Sequence, residues 1–352
     1  MKKIFCLILA FFTLLSLSAC KEEVSVAEKE VEIPKFIEGD PELPPQPDTF
    51  EITLSFVGDV LLASQLDITS AGSFNEYANT HPASYFFEKV RHIFEADDFT
   101  IVNVENVFTD KYLEPVEKGY TPAFWFKSRT SNVEILTSSS VEGVSLANNH
   151  ISDYGPVGMN DTKEAITNAG LPFGIDGTIM YFEKRGFTVA VICHGMWAEY
   201  QANTIANEIK IAEQQSDYQI VFFHGGTEKL HRPEDWKVRS ARKLVDSGAD
   251  MVIGNHPHVL QPREIYNGVE IIYSIGNFCF GGNMRPENRT IIYQMNISVD
   301  WRTNTATTSR SEIIPCYVYT GNLNNYQPTP IEDLAQKTKV LEFMDGLHDV
   351  PF

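Results

Sequence analysis

Short apolar runs alternate along the chain with stretches in which apolar residues recur every third or fourth position. Glu51-Ile52-Thr53-Leu54-Ser55-Phe56-Val57 alternates and then turns wholly apolar, the pattern of a strand entering a core. Further strand-like runs are Phe99–Val104, Gly143–Leu146, Phe187–Cys193, Gln219–Phe223, Asp250–Ile253 and Val269–Ile275. Helical spacing marks Ser84–Ala96, Ser131–Ser138, Val157–Ala169, Thr204–Ser216 and Glu234–Ser247, with Gly170 and Gly248 placed as C-terminal caps. Thr290–Asp300 and Thr305–Val318 predict a pair of antiparallel strands, and Ile331–Met344 a last amphipathic helix. Strand–helix alternation closed by a hairpin predicts an α/β protein with mixed sheets. The expected globular domain is 50–320, followed by a polar segment with a helix over 321–352.

The first residues do not belong to that pattern. Met1-Lys2-Lys3 is a basic start, and Ile4 to Leu17 is an apolar run too short for a comfortable membrane span. It ends in Leu17-Ser18-Ala19-Cys20, the form of a lipoprotein signal over 1–19 with lipid on Cys20. Such an anchor places the protein outside the cytoplasm in the cell envelope, held to a bacterial membrane without spanning it. Residues 20–49 carry seven glutamates and five prolines and predict a disordered tether. Fully extended, it reaches roughly 90 Å at about 3.3 Å per residue.

Composition narrows the function classes. With 28 basic and 47 acidic residues the net charge is −19, which argues against a nucleic-acid partner. Of five cysteines, Cys193, Cys279 and Cys316 remain in the globular part, and their strand context predicts buried thiols rather than a disulfide framework. No Gly-x-Ser-x-Gly elbow occurs.

The candidate chemistry lies at the ends of the strands. In order they deliver Gly58-Asp59, Asn103-Val104-Glu105-Asn106, and Ala147-Asn148-Asn149-His150 with Asp153-Tyr154-Gly155. They continue with His224-Gly225-Gly226-Thr227-Glu228, Gly254-Asn255-His256-Pro257-His258 and Ser274-Ile275-Gly276-Asn277-Phe278. Sites in α/β sheets form at the carboxyl ends of strands. A mixed set of carboxylate, amide and imidazole donors suits manganese, iron or zinc. Strand alternation and the break at Pro257 predict that His256 and His258 aim into one site. Asp153 and Tyr154 either hold the His150 loop or orient its ring. Glu228 is either a partner to a ligand histidine or a solvated loop charge. His81, His92, His194, His231 and His348 lack such a context and are expected to be structural or superficial.

These segments, in this order, resemble the capsule-synthesis family typified by the poly-γ-glutamate synthesis protein CapA (also called PgsA). That family looks like a branch of the calcineurin-like metallophosphoesterases. The resemblance runs from about Ile52 to Phe280 and implies a four-layer αββα sandwich with mixed sheets and a cleft for two divalent metal ions. It implies Asp59 and His258 on the first ion, Glu105 bridging, and Asn149, His224 and His256 on the second. It further implies His150 as general acid, with Asp153, Glu228 and Asn277 behind these residues.

There are departures from the phosphoesterase pattern. Leu61 stands where a ligand histidine is usual, which weakens the first metal. Glu105 replaces an aspartate. Gly225 stands where many family members have Trp, which predicts an opened wall. The resemblance implies a protein of capsule synthesis or export with a metal-dependent hydrolytic site, and the lipoprotein signal at Cys20 implies that it is membrane-anchored. The alternative is a non-catalytic, metal-containing scaffold or polymer-binding component. The implied partners are the membrane, an anionic envelope polymer or phosphoester, and a membrane synthesis complex.

Overall fold

The structure, a computed structural model, describes residues 48–65, 68–303 and 305–352. The expected signal peptide, Cys20 and all but the end of the tether lie outside the described residues.

The chain forms β1 (Thr49–Leu61), α1 (Phe74–Thr80), α2 (Arg91–Phe94), β2 (Phe99–Val104), β3 (Val107–Phe108), β4 (Lys127–Ser128), α3 (Glu134–Thr137), β5 (Gly143–Ser145) and α4 (Gly155–Asn168). It continues with β6 (Phe173–Gly174), β7 (Met180–Lys184), β8 (Phe187–Gly195), α5 (Gln201–Ala212), β9 (Tyr218–His224), α6 (Asp235–Asp246), β10 (Met251–Asn255), β11 (Leu260–Tyr266) and β12 (Val269–Ile275). The last elements are β13 (Asn277–Phe280), β14 (Thr290–Asp300), β15 (Thr305–Tyr317), β16 (Thr329–Pro330) and α7 (Leu334–Met344).

Two large sheets result. The first runs β16-β15-β14-β1-β2-β5-β6, with β13 also paired to β1, and the second runs β11-β12-β10-β9-β8-β7. In the first, β1, β2, β5 and β6 are parallel while β14 and β15 are antiparallel to their neighbours. In the second, β8, β9, β10 and β12 are parallel, with antiparallel β7 and β11 at the edges. The parallel centres bring the carboxyl ends of β1, β2 and β5 to one edge of the first sheet, and those of β8, β9, β10 and β12 to one edge of the second.

The two-residue period of the strands divides the apolar side chains between layers. Val189, Val191, Ile220, Phe222, Met251 and Ile253 join Ile52, Leu54, Phe56 and Tyr293 in one core cluster between the sheets. The alternate residues Ala190, Ile192, Val221, Phe223 and Val252 pack with Ile205 and Ile209 of α5 and Leu244 of α6. On the far side of the first sheet, Val102, Val104 and Val144 pack with Phe74, Phe94, Leu136 and Ile166 of the helices. This is a four-layer αββα sandwich.

Several expectations are corrected. The helix over Ser84–Ala96 is a 3₁₀ turn at Ala83–Tyr85, a run of turns, and the single α-turn α2. Its aromatic residues reach the core individually, with Phe86, Phe87 and Phe94 all buried. The segment Ser131–Ser138 is likewise a 3₁₀ turn followed by α3. Residues 321–352 belong to the same compact unit as the rest of the described chain. β16 pairs with β15, and Val340, Phe343 and Met344 of α7 enter the cluster between the sheets. Gly170 and Gly248 hold positive φ just past α4 and α6, as their capping positions require.

One half-buried carboxyl just before β5 makes stability depend on pH. Glu142 Oε2 accepts the Thr100 amide at 2.7 Å, and Thr100 Oγ1 donates to Asp97 at 2.8 Å. Burial pushes Glu142 from 4.5 up to about 7. Because the folded value lies above the unfolded one, its contribution is complete below the unfolded value and lost as pH rises through about 7. Glu142→Gln keeps an acceptor for Thr100 and removes that loss. The variant should melt higher than the parent at about pH 8 and match it at about pH 5. Parallel melting profiles for the two proteins would contradict this account.

Candidate metal centre

The strand ends converge in one buried cluster. Asp59 lies near the end of β1, opposite Asn103 of β2 and Asn277 of β13. Glu105 follows β2, and its amide donates to the Val60 carbonyl at 2.8 Å, which fixes it beside β1. His224 is the last residue of β9, in register with Asn255 of β10. Asn149 and His150 follow β5. His256 and His258 follow β10 in left-handed backbone, with φ of 95° and 57°. Two non-glycine residues held there, around Pro257, aim both rings inward; strand alternation is not the cause. Such strain costs on the order of 1–3 kcal/mol per residue and is typical of functional sites.

Three further donor atoms lie close to one ring nitrogen of His224. Nε2 of His224 lies 2.9 Å from Glu105 Oε1, 3.0 Å from Asn149 Oδ1 and 3.1 Å from His256 Nδ1. A second group adjoins it. His258 Nδ1 is 3.2 Å from Asp59 Oδ2, and Asp59 Oδ1 is 3.6 Å from His224 Nδ1. Asp59, Glu105 and His224 form one set whose ligand atoms lie within 4.8 Å of one another, and Glu105, His256 and His258 form another. Glu105 belongs to both. All six expected ligand residues are thus brought together, with Glu105 common to both sets.

The donors fit divalent cations. Asp59 and Glu105 are fully buried, and Glu105 Oε2 has no hydrogen-bond partner. A buried carboxylate oxygen without a partner is costly unless a cation meets it. The imidazoles are split in charge. Burial, with the neighbouring charges of His224, His258, Lys237 and His150, holds His256 well below the usual value, so it presents a neutral donor. At His258 burial acts the same way, but the Glu105 and Asp59 carboxylates outweigh it and raise the ring to about 9. Burial raises Asp59, yet the hydrogen bond from His258 and the charges of His224 and His258 bring it below the ordinary value.

Supporting groups hold these residues in place. Asn277 Oδ1 lies 2.9 Å from His258 Nδ1, and its amide donates to the His258 carbonyl at 3.1 Å. Asp153 orients His150: Oδ2 lies 2.8 Å from His150 Nδ1 and accepts the Phe126 amide at 2.8 Å. Its other oxygen pairs with Lys118 Nζ at 2.5 Å, and the Lys118 side chain is only 8% exposed. The result is a buried Lys118–Asp153–His150 row. The segment between β3 and β4 that carries Lys118 is tied to the same residue, since the Val116 amide donates to the Asp153 carbonyl at 2.9 Å.

Some residues of the site were not expected from the sequence. Asn103 Nδ2 donates to Asp59 Oδ1 at 2.9 Å and lies 3.1 Å from His224 Nδ1, so this amide joins two candidate ligands. A buried amide in a strand is the signal that marks it. Lys118 carries no such signal, being one lysine in a polar loop. Two expectations change. Glu228 is exposed beyond β9, and the histidines find their partners in Asn277 and Asp153 instead. Gly225 does not leave an open wall. A Cβ there would fall 1.8 Å from the Met196 carbonyl oxygen, and the segment that glycine admits brings in Trp197. The indole lies 4.9 Å from the His256 ring and 5.6 Å from that of His224. Leu61, in place of a histidine, is fully buried with Ala63, Phe126, Phe280 and Val318.

The chain is 27% identical over 318 residues to the PGA biosynthesis protein CapA of Bacillus subtilis (strain 168), covering 83% of this chain and 77% of that one. It is 24% identical over 320 residues to the capsule biosynthesis protein CapA of Bacillus anthracis, covering 82% and 72%. Among solved structures it is similar to a novel phosphatase from Mycoplasma pneumoniae, at a TM-score of 0.45 and 15% identity over 76% of this chain and 94% of that one. Residues 53–282 match the model of the bacterial capsule synthesis protein PGA_cap, and the chain belongs to that family.

Proposed function

We propose that this protein is an envelope-anchored, metal-dependent hydrolase of phosphoesterase type that serves capsule polymer synthesis or export. The observation that carries the proposal is the gathering of Glu105, Asn149 and His256 within 3.1 Å of His224 Nε2, beside Asp59 and His258, with an oriented imidazole at His150. Two divalent ions of manganese, iron or zinc, held by these residues, supply positive charge for an in-line displacement. The chain supplies the rest. Asp59 and Glu105 balance the charge in a site from which water is largely excluded. With Nδ1 engaged by Asp153, His150 is left with Nε2 to serve the substrate. A water oxygen bonds to phosphorus and releases a proton to solvent, the ester P–O bond breaks, and protonated His150 gives its Nε2 proton to the departing alkoxide and is then reprotonated from solvent. A positioned acid of this kind contributes roughly 10²–10⁴ in rate.

Leu61 favours a second reading, in which the bound ions hold an anionic polymer and no hydrolysis follows. An acidic protein of net charge −19 needs cations between itself and such a polymer. Membrane attachment belongs to the same proposal and rests on Cys20 behind the apolar run Ile4 to Leu17. Among the described residues no helix is long and apolar enough to cross a membrane. The proposed setting is therefore a lipid-tethered domain beside a membrane synthesis complex.

Turnover of a phosphoester panel, read with metal content by elemental analysis, separates the two readings. His150→Ala should lose about 10²–10⁴ in kcat with bound metal unchanged. Lys118→Met should lower kcat with little change in KM, and Lys118→Arg should restore most of it, because the residue acts through Asp153. Wild-type protein that holds its metal but turns over no member of the panel would support the polymer-holding reading and sink the hydrolase. Cys20→Ser should move the protein from the membrane fraction to the soluble one. Retention in membranes would rule out lipid on that thiol as the anchor.

A further inference from the structure

The wall beside the metal ligands is built with unusual care. The segment between β8 and α5 lies directly against the residue pair His224-Gly225: the Met196 amide donates to the His224 carbonyl at 2.9 Å, and only glycine at 225 leaves room for the Met196 carbonyl. At the other side of the segment, a Cβ on Gly195 would lie 2.8 Å from Trp197 Nε1, so a second glycine lets the indole fold back. The loop is closed on itself by Gln201. Its Oε1 accepts the Trp197 amide at 2.6 Å and the Ala198 amide at 3.0 Å, and its Nε2 donates to the Gly195 carbonyl at 3.1 Å. An aromatic side chain is thereby fixed against two candidate metal ligands.

Its orientation leaves surface to spare. The indole is nearly perpendicular to both imidazoles, at 89° to His256 and 72° to His224. The two imidazoles are themselves only 4.7 Å apart, centroid to centroid, so both lie to one side of the indole and cannot cover both of its faces. Trp197 remains 40% exposed, next to ligands that are nearly buried. A rigid, half-exposed aromatic plane at the rim of a deep polar site contributes little to the core. It offers a flat apolar surface to whatever enters.

We infer that Trp197 is a substrate platform, and that the site selects phosphoesters carrying a flat ring face, a base or a sugar, over open-chain ones. This rests on the proposed hydrolase reading only in taking a phosphoester as the bound group. Stacking on an aromatic side chain is sequence-tolerant and strong enough to be read as a change in affinity of roughly tenfold or more.

The test is calorimetric binding of adenosine 5′-monophosphate, glucose 6-phosphate and glycerol 3-phosphate to the full chain supplied with manganese. The His150→Ala background slows turnover by about 10²–10⁴, so binding is read before hydrolysis. At least one ring-bearing ligand should bind about tenfold or more tightly than glycerol 3-phosphate. Trp197→Ala should bring it down to the level of glycerol 3-phosphate, whose own binding should not change, and Trp197→Phe should keep most of the preference. A lead for the nucleotide assigns a base as the ring, and a lead for glucose 6-phosphate assigns a sugar. Equal binding of all three, or a Trp197→Ala variant that weakens all three alike, overturns the inference and leaves the phosphoester reading standing. Binding of none of them removes that reading and this inference with it.

Discussion

Glu105 is the residue around which this site is organised. Its carboxylate is fully buried, its Oε1 lies 2.9 Å from His224, and its Oε2 has no hydrogen-bond partner. A buried charge in that state is stable only beside compensating positive charge. The surrounding residues offer metal ligands on either side of it: His224 with Asp59, and His256 with His258. His258 feels Glu105 and Asp59 directly, while His256 is governed by burial and by its neighbours' positive charge.

The fold exists, for this purpose, to bring Glu105 and its partners to one place. Two sheets with parallel centres present several strand ends, and the inter-sheet core sets how far apart they stand. That core is completed by elements beyond the family-matched residues 53–282, since β14 supplies Tyr293 and Met295 and α7 supplies Phe343 and Met344. The site is therefore only as rigid as a C-terminal hairpin and helix that contribute no ligand. Close to the site the chain accepts local strain, in the left-handed His256 and His258, and close approach, in Gly225 against Met196.

Much of this was legible in the sequence because strands write themselves with a two-residue period and end in a change of residue type. Phe99–Val104 and Val269–Ile275 have the expected bounds, and each strand-end segment carries its expected donor into the cluster. The hidden parts share a different cause. Lys118 and Trp197 sit on connections whose course depends on distant residues, Asp153 in one case and Gly225 in the other. Nothing local marks them. The segment 84–96 shows helical spacing but folds as turns, because its aromatic residues are bound by separate tertiary contacts, such as Phe87 with Phe278 and Phe74 with Phe86. Glu228 had the right chemistry in the right segment, but the chain carries it past the site and into solvent.

The proposed function assigns Glu105 to two divalent ions jointly. Titrating manganese into chelator-treated protein by calorimetry, for the parent and for Glu105→Gln, tests it most directly. The account predicts about two ions per chain for the parent and loss of both high-affinity sites in the variant, since a neutral amide cannot serve either neighbour as the shared carboxylate does. A variant that still takes up two ions with parental affinity would contradict it.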